Sequence, residues 1–405
     1  MTGVKNSLSS PTKSSQRRLR IGIVATEFPP MVGGMEQHAY GLAKALSETD
    51  DIHLFTHIRN AAAAEFAPFP IHPVLVCDLW EDVKKLSQER VDLWLTLNAG
   101  YSSLTKFLLD PVYAYCHGND FLSPWIRQSR VDATLQKKMG QTPYLWRFAP
   151  WLSKQLVHKR LFRSLSKARI IFVNSHYTNG ALLQVFPRLE RPIIVSNPGV
   201  NDHFFADQRP SQVSPETDPK TLRLLTVARL SSAAPKKNVE NVVHAIALLK
   251  HEILIDYKVI GDGNRRLELQ ALSHSLGLDD CVSFLGNVPN QQIPKFIDKA
   301  DLFVLASWAS KVDVESFGIV YAEAAARGVP SLMSRMGGAT DAVEDGRSGI
   351  IIDGAAPQDI ADGIRRFWQT RDSFKSDEIR TFADQFRWST VAGRMRQAII
   401  SDLPF

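Results

Sequence analysis

Residues 20–48 read RIGIVATEFPPMVGGMEQHAYGLAKALSE, and the three parts of this stretch decide the fold. RIGIVAT (20–26) is a short, nearly continuous apolar run, the pattern of a strand covered on both faces. EFPPMVGG follows as a Gly/Pro loop, and from Met35 onward the apolar residues recur at helical spacing. Strand, loop and helix in that order open a parallel sheet.

The same alternation continues in both directions of the argument. DIHLFTH (51–57), IHPVLVCD (71–78), VDLWLTL (91–97), PVYAYCH (111–117), RIIFVNS (169–175) and PIIVSNPGV (192–200) read as further buried strands. Residues 202–220, DHFFADQRPSQVSPETDPK, are dense in Pro, Ser and charge and read as a linker. A second series then begins with LRLLTVA (222–228), YKVIGDG (257–263), CVSFLGNV (281–288), DLFVLAS (301–307), VPSLMS (329–334) and GIIID (349–353). Helices are expected between them at NVENVVHAIALLK (238–250), RRLELQALSHSLG (265–277) and ESFGIVYAEAAARG (315–328). A chain of 405 residues exceeds what one core usually supports, so two α/β domains are expected. Their bounds read as a disordered basic tail over 1–19, a first domain over 20–200 and a second over 201–385. A closing helix over 386–405 carries Phe386, Val391, Met395 and Ile399 at near-helical spacing.

Composition narrows the function classes. No run of eighteen apolar residues occurs, and the first twenty residues lack an apolar h-region, so neither a membrane span nor a secretory signal is read and a cytoplasmic location is expected. Cys77, Cys116 and Cys281 stand alone, without paired or His-containing ligand spacing, which argues against a disulfide framework or a metal site. The net charge of +6 is concentrated locally. Residues 125–169 carry eleven Lys/Arg against the single acid Asp132, and residues 1–20 carry five and no acid, so the rest of the chain is net acidic. Trp125, Trp146, Phe148, Trp151 and Phe162 lie among those cations, a combination suited to anionic lipid headgroups at the inner face of the cytoplasmic membrane. A helical hairpin packing its aromatics inward is the other reading of this stretch. Nucleic acid is not expected, since no recognition motif accompanies the charge.

The sharpest chemical signal is ESFGIVYAE, which sets Glu315 at the start of a helix and Glu323 two turns along it. An isolated pair of glutamates reads as well as a cap and a surface charge. Here Phe317, Ile319, Val320 and the alanines after Glu323 make the helix look buried, and a buried glutamate is seldom idle. A helix beginning near Ser316 would offer unpaired N–H groups to anionic or hydroxyl-rich ligands.

Taken in order, TVARL (226–230), KKNVENVVHAI (236–246), VIGDG (259–263), VSFLGNVP (282–289), DLFVLASW (301–308), ESFGIVYAEAAARGVPSL (315–332) and GGATDAVEDGRSGIII (337–352) resemble the family 4 retaining glycosyltransferases of the GT-B fold. FPPMVGGMEQHAYGLAKAL (28–46) and YAYCHGND (113–120) extend the resemblance through the first half. It implies two Rossmann-like doubly wound domains facing across a cleft, with the C-terminal helix crossing back to the first. It also implies transfer of a hexose-type sugar, with retention, from a UDP- or GDP-sugar to a hydroxyl of a glycan or lipid-linked acceptor, in bacterial cell-surface polysaccharide, lipopolysaccharide or glycolipid synthesis. The nucleotide diphosphate sugar is then a co-substrate, and no cofactor or metal is implied.

On the same resemblance, Glu315 and His117 stand beside the donor sugar as catalytic groups. Ser316, Phe317, Gly318 and Ile319 would hold sugar hydroxyls and phosphate through their backbone, and Glu323 the ribose. Arg229 and Lys237 would grip the diphosphate, with Lys236 an alternative because the spacing from Arg229 is longer than usual. Gly33 and Gly34 would let the backbone approach a phosphate or sugar, Val288 would lie near the base, and Asp120 would orient its neighbours. Asp341 stands where relatives usually carry Glu, and Ala306 where they carry Pro. Two rivals remain at this point: another sugar-nucleotide enzyme of two-Rossmann build, an epimerase or phosphorylase, and a catalytically silent membrane-binding scaffold.

Overall fold

The computed structural model describes residues 17–30, 33–124, 149–206, 220–232, 237–308 and 315–403. Most of the basic tail, residues 125–148 of the basic stretch, the middle of the linker and Lys236 lie outside the described residues.

Among the described residues, thirteen strands fall into two sheets whose pairs are all parallel. The first holds β1 (Arg20–Ala25), β2 (Asp51–His57), β3 (Ile71–Leu75), β4 (Leu93–Thr96), β5 (Val112–Cys116), β6 (Ile171–Val173) and β7 (Ile193–Val195), in the order β3-β2-β1-β4-β5-β6-β7. The second holds β8 (Thr221–Val227), β9 (Leu254–Ile260), β10 (Val282–Gly286), β11 (Leu302–Leu305), β12 (Ser331–Ser334) and β13 (Gly349–Ile352), in the order β10-β9-β8-β11-β12-β13. Helices alternate with them: α1 (Gly34–Ser47), α2 (Leu79–Leu86), α3 (Asn119–Leu122), α4 (Ala149–Leu165) and α5 (His176–Val185) in the first half. The second half adds α6 (Val239–Leu249), α7 (Arg266–Ser275), α8 (Ile293–Ile297), α9 (Ile319–Ala326), α10 (Pro357–Thr370), α11 (Ser376–Ala383) and α12 (Trp388–Asp402).

In both sheets the first strand is central, and the strand order reverses beside it, between β1 and β4 and between β8 and β11. Ligands of open α/β sheets bind beyond the carboxyl ends of strands at such a reversal. The loops after β1 and β8 therefore carry the positions at which a ligand is expected, and they contain Gly33, Gly34, Arg229 and Lys237.

The chain crosses between the domains twice, and the two crossings touch. Val200 donates its N–H to Phe386 O at 2.7 Å, and Val200, Phe204 and Phe386 are buried in the core of the second sheet. Two residues later, Trp388 is in the core of the first, together with Val391, Met395 and Ile399 of α12. Phe386 therefore belongs to the second domain's core, and the closing helix turns to the first domain only from Trp388. The indole of Trp388 fills a slot between Gly41 of α1 and Gly199, in the segment after β7, where a Cβ would lie 2.1 and 2.3 Å from the ring. Any side chain at either glycine would push the indole out and separate the crossings.

Charge fixes the far end of α12. Arg396 meets Asp50 through two contacts of 2.6 and 2.9 Å, with the aspartate wholly buried and also accepting the Leu19 N–H. Asp402 accepts from the Tyr113 hydroxyl and Arg169 Nε, both at 2.8 Å. A bidentate Arg–carboxylate pair is the geometry in which a buried ion pair is best compensated.

Candidate functional site

Two of the positions expected in the second domain form an ion pair. Lys237 Nζ lies 2.7 Å from Glu315 Oε2, with both side chains largely buried, at 16% and 14% exposure. Lys237 precedes α6, and its backbone is aimed by Asn238, which adopts the left-handed conformation at φ 55°. That strained position is held because the Asn238 amide donates to Ala306 O at 2.8 Å and Ala355 O at 2.9 Å. Asparagine is among the residues that tolerate this region, so a loop residue is fixed as firmly as one in a strand.

Glu315 is shaped by Gly318. This glycine has φ +75° and caps α9, and a Cβ on it would fall 2.6 Å from the Tyr321 ring and 3.3 Å from Glu315 Cγ. The helix thus begins at Ile319, three residues beyond the expected Ser316, because the chain must turn through a left-handed residue to bring Glu315 over the helix end. Ser316 and Phe317 form a bend, and the Phe317 ring packs on Phe386 at the domain crossing, with centroids 5.5 Å apart. The unpaired N–H groups of the helix's first turn are consequently those around Ile319, one turn later than anticipated.

Glu323 is buried, and its carboxylate makes no hydrogen bond to any described residue. Burial alone pushes its pKa up to about 7. Arg229 is exposed at the end of β8, and it makes no ion pair among the described residues. Its neighbours are nonetheless pinned: Ala228 N donates to Ile260 O, Leu230 N to Asp262 O, and Arg265 N to Leu230 O, all within 3.0 Å. The Gly261–Gly263 turn thus holds the backbone carrying Arg229, while the guanidinium is left open. Val288 is half-buried against the second core.

The first domain contributes His117, at the end of β5. It is 9% exposed, and burial pushes its pKa down to about 4, so the ring is neutral at physiological pH. Asp120 holds the turn it sits on, one oxygen accepting from the N–H of His117 at 3.0 Å and Gly118 at 2.9 Å, the other from Ala99 at 2.8 Å. These contacts join the ends of β4 and β5, and burial raises the Asp120 pKa to about 6 against the lowering effect of those bonds.

Beside His117 lies His38 of α1, which the sequence reading did not single out. Its ring stands edge-to-face with that of His117, centroids 5.1 Å apart, and also meets Tyr115 at 4.4 Å and Trp388 at 5.5 Å. It is fully buried with neither ring nitrogen paired among the described residues, and burial holds it well below the usual histidine range. A histidine four residues after the Gly-Gly turn, on the inward face of the first helix, was the available signal.

Gly33 and Gly34 diverge. Gly34 opens α1 with nothing within 4 Å of its Cβ direction, whereas the Glu36 carboxylate lies 2.3 Å from that of Gly33. Glu27 is close enough for Glu36 to help burial raise its pKa. The Glu36 carboxylate thus folds back against the Gly-Gly turn.

Two facing, doubly wound domains with ligand positions at both strand-order reversals define the GT-B architecture. Two family models match in tandem: "Glycosyltransferase Family 4" over residues 32–204 and "Glycosyl transferases group 1" over 192–380. The chain belongs to the family 4 glycosyltransferases. Among curated relatives, it is 30% identical over 183 residues to the GDP-mannose-dependent alpha-(1-6)-phosphatidylinositol monomannoside mannosyltransferase of Mycobacterium tuberculosis, covering 44% of this chain and 48% of that one. It is 39% identical over 153 residues to the D-inositol 3-phosphate glycosyltransferase of Corynebacterium jeikeium, covering 36% and 34%. The chain thus spans about half the length, or less, of the curated relatives it matches. Among solved structures, Anabaena HepE in complex with UDP superposes with a TM-score of 0.71 at 19% identity, over 94% of this chain and all of that one. The lipopolysaccharide outer core galactosyltransferase WaaB superposes at 0.68 and 17% identity, over 95% of this chain and 100% of that one. At these identities the likeness is one of fold.

The Glu323 environment makes a prediction about pH. Below about pH 4 the carboxyl is protonated in both the folded and unfolded chain; between there and about 7 the unfolded chain ionises while the buried group resists, so stability falls as pH rises. Glu323→Gln removes this cost. Chemical denaturation should find the variant close to wild type at pH 4.5 and more stable by up to about 3 kcal/mol at pH 8. An offset that does not change with pH contradicts the assignment.

Proposed function

We propose that the protein is a retaining glycosyltransferase that moves a hexose-type sugar from a nucleotide diphosphate donor to a hydroxyl of a glycan or lipid-linked acceptor. The observation that carries this reading is the buried Lys237–Glu315 pair, with Lys237 and the exposed Arg229 both in the loop that follows β8 at the strand-order reversal of the second sheet.

The donor diphosphate binds at the second domain, its charge met by Arg229 and Lys237, with the ribose at Glu323 and the base near Val288. When the diphosphate engages Lys237, the Lys237–Glu315 contact opens and the Glu315 carboxylate stands beside the sugar ring. The acceptor oxygen attacks the anomeric carbon from the face the diphosphate leaves; the C1–O bond to phosphate breaks, and the hydroxyl proton passes to the departing phosphate oxygen. Fixed cations stabilise the charge that grows on that oxygen without reorganising. A neutral His117 can accept or donate a hydrogen bond to a sugar hydroxyl without repelling the electron-poor ring. The carboxylates Glu36 and Glu27 at the Gly-Gly turn receive hydroxyls from the first-domain side. The relatives named for GDP-mannose, phosphatidylinositol monomannoside and inositol 3-phosphate support a nucleotide diphosphate sugar as donor and a glycan or lipid-linked acceptor.

An anionic membrane surface is part of the same proposal. Among the described residues of the basic stretch, Lys159, Arg163 and Lys167 are exposed, and Arg160, Arg163 and Lys167 crowd Lys106 enough to add to the lowering of its pKa by burial. Phe107 follows Lys106 in the chain, its exposed ring lies 5.5 Å from that of the exposed Trp80, and Leu109 is fully exposed. No helix of the described residues is long and apolar enough to cross a membrane, so the contact would be peripheral. Flotation should bring the protein up with vesicles containing phosphatidylglycerol and leave it behind with phosphatidylcholine alone; equal behaviour with both dismisses the contact.

Thermal-shift titration with UDP, GDP, ADP and their sugars identifies the donor, since a ligand bound only by the folded state raises Tm. With the donor so identified, Glu315→Ala should abolish transfer while holding the nucleoside diphosphate at least as tightly as wild type, because Lys237 is freed for it. Wild-type turnover in that variant, or loss of nucleotide binding with it, removes Glu315 from its role.

A further inference from the structure

The two domains are joined at the mouth of the cleft by Asp341, in the loop between β12 and β13. One of its carboxylate oxygens accepts from His176 N at 2.9 Å and Asn197 Nδ2 at 3.1 Å, and lies 3.0 Å from His176 Nδ1. All three partners belong to the first domain: His176 opens α5, and Asn197 follows β7 and also donates to Asn174 O at 3.1 Å. The aspartate side chain is only 8% exposed although it sits at a domain boundary. It faces the amino end of a ten-residue helix, where unpaired N–H groups and the helix dipole favour negative charge.

The same loop rests on the catalytic turn. Gly338 donates its N–H to Glu315 O at 2.7 Å. A Cβ on Gly338 would fall 1.9 Å from Ser316 O and 2.4 Å from Ser175 Oγ, the hydroxyl that caps α5 through Thr178 N at 3.1 Å. Backbone of the donor-side turn, loop 337–341 and the start of α5 are therefore packed in direct succession. By contrast, the Lys44–Asp202 pair elsewhere between the elements is 3.7 Å long and exposed on both sides, and holds little.

We infer that Asp341 is a positioning residue, whose carboxylate clamps the loop carrying Gly338, and through it the Glu315–Ser316 turn, against the amino end of α5 in the acceptor domain. It touches neither reactant. Its work is to fix the width of the cleft between the donor sugar and the face that presents the acceptor hydroxyl. The inference rests on the glycosyl-transfer reading for what the clamp aligns, but the clamp itself is a contact between domains and can be measured without substrate.

The test compares Asp341→Ala, Asp341→Asn and Asp341→Glu with wild type, each carrying spin labels at the exposed Arg188 and Arg347, one per domain. Electron–electron distance measurements should give a broader or longer distribution for Asp341→Ala and Asp341→Asn, and a near-native one for Asp341→Glu. With the donor identified by thermal shift, kcat of Asp341→Ala should fall about tenfold to a hundredfold, the scale of small misplacements, while Kd for the nucleoside diphosphate stays within about threefold. Asp341→Glu should recover most of that loss, a rescue that simple destabilisation would not give. An unchanged distance distribution overturns the inference, as does unchanged kcat in Asp341→Ala, or a kcat loss that Asp341→Glu does not relieve. If wild type binds no nucleotide, the transferase reading falls, and the distance measurement still decides the clamp.

Discussion

A lysine and a glutamate are taken out of water together at the centre of this molecule. Lys237 and Glu315 are 2.7 Å apart with little exposure, and each offsets part of the desolvation cost of the other's charge. Such a pair is poor evidence of stability, because desolvation offsets much of its Coulombic gain. In the proposed reaction the pair stores charge for an incoming ligand, the diphosphate taking up the lysine beside the carboxylate. The supports around it follow from that need. Asn238 is held left-handed to aim the lysine, Gly318 is left-handed to fold the glutamate over α9, and the Gly261–Gly263 turn pins the backbone of Arg229.

The second domain cannot use this pair unless the first stands opposite at a set distance. Two devices hold it there. The paired crossings at Val200 and Phe386 bring both strands of the connection through one place, and the Trp388 indole, seated between Gly41 and Gly199, locks that place to α1. From Trp388 a run of rings passes through His38 to His117, so the histidine assigned to the reaction centre packs, through one neighbour, on the hinge itself. At the mouth of the cleft, Asp341 ties the loop behind Glu315 to α5.

Much of this was legible in the order of residues. Apolar runs with little alternation marked thirteen strands and the parallel class, and helical spacing in Val391, Met395 and Ile399 marked the face of α12 that the first core buries. Edges were less legible: β9 starts at Leu254, where Asp256 and the surface-exposed Leu254 interrupt the apolar signal. The helices α10 and α11 went unread although Pro357 at the first turn and Ile360, Ile364 and Phe367 at helical spacing announced the former. What periodicity could not supply was tertiary. The late start of α9 depends on a left-handed Gly318, the Gly33 environment on a carboxylate folded back from Glu36, and the weight of Asp341 and His38 on residues distant in sequence. The resemblance to family 4 singled out candidate residues in the loops after β1 and β8, at the end of β5 and at the start of α9; only the folded chain reveals which are already paired, which are open, and which are neutral.

The most direct measurement is a crystal structure with the donor's nucleoside diphosphate and its intact sugar form in turn. The account requires Lys237 and Arg229 on the diphosphate oxygens, the Lys237–Glu315 contact broken, and Glu315 within hydrogen-bonding distance of the hexose. A nucleotide lodged elsewhere, with the Lys237–Glu315 pair intact beneath it, would contradict it.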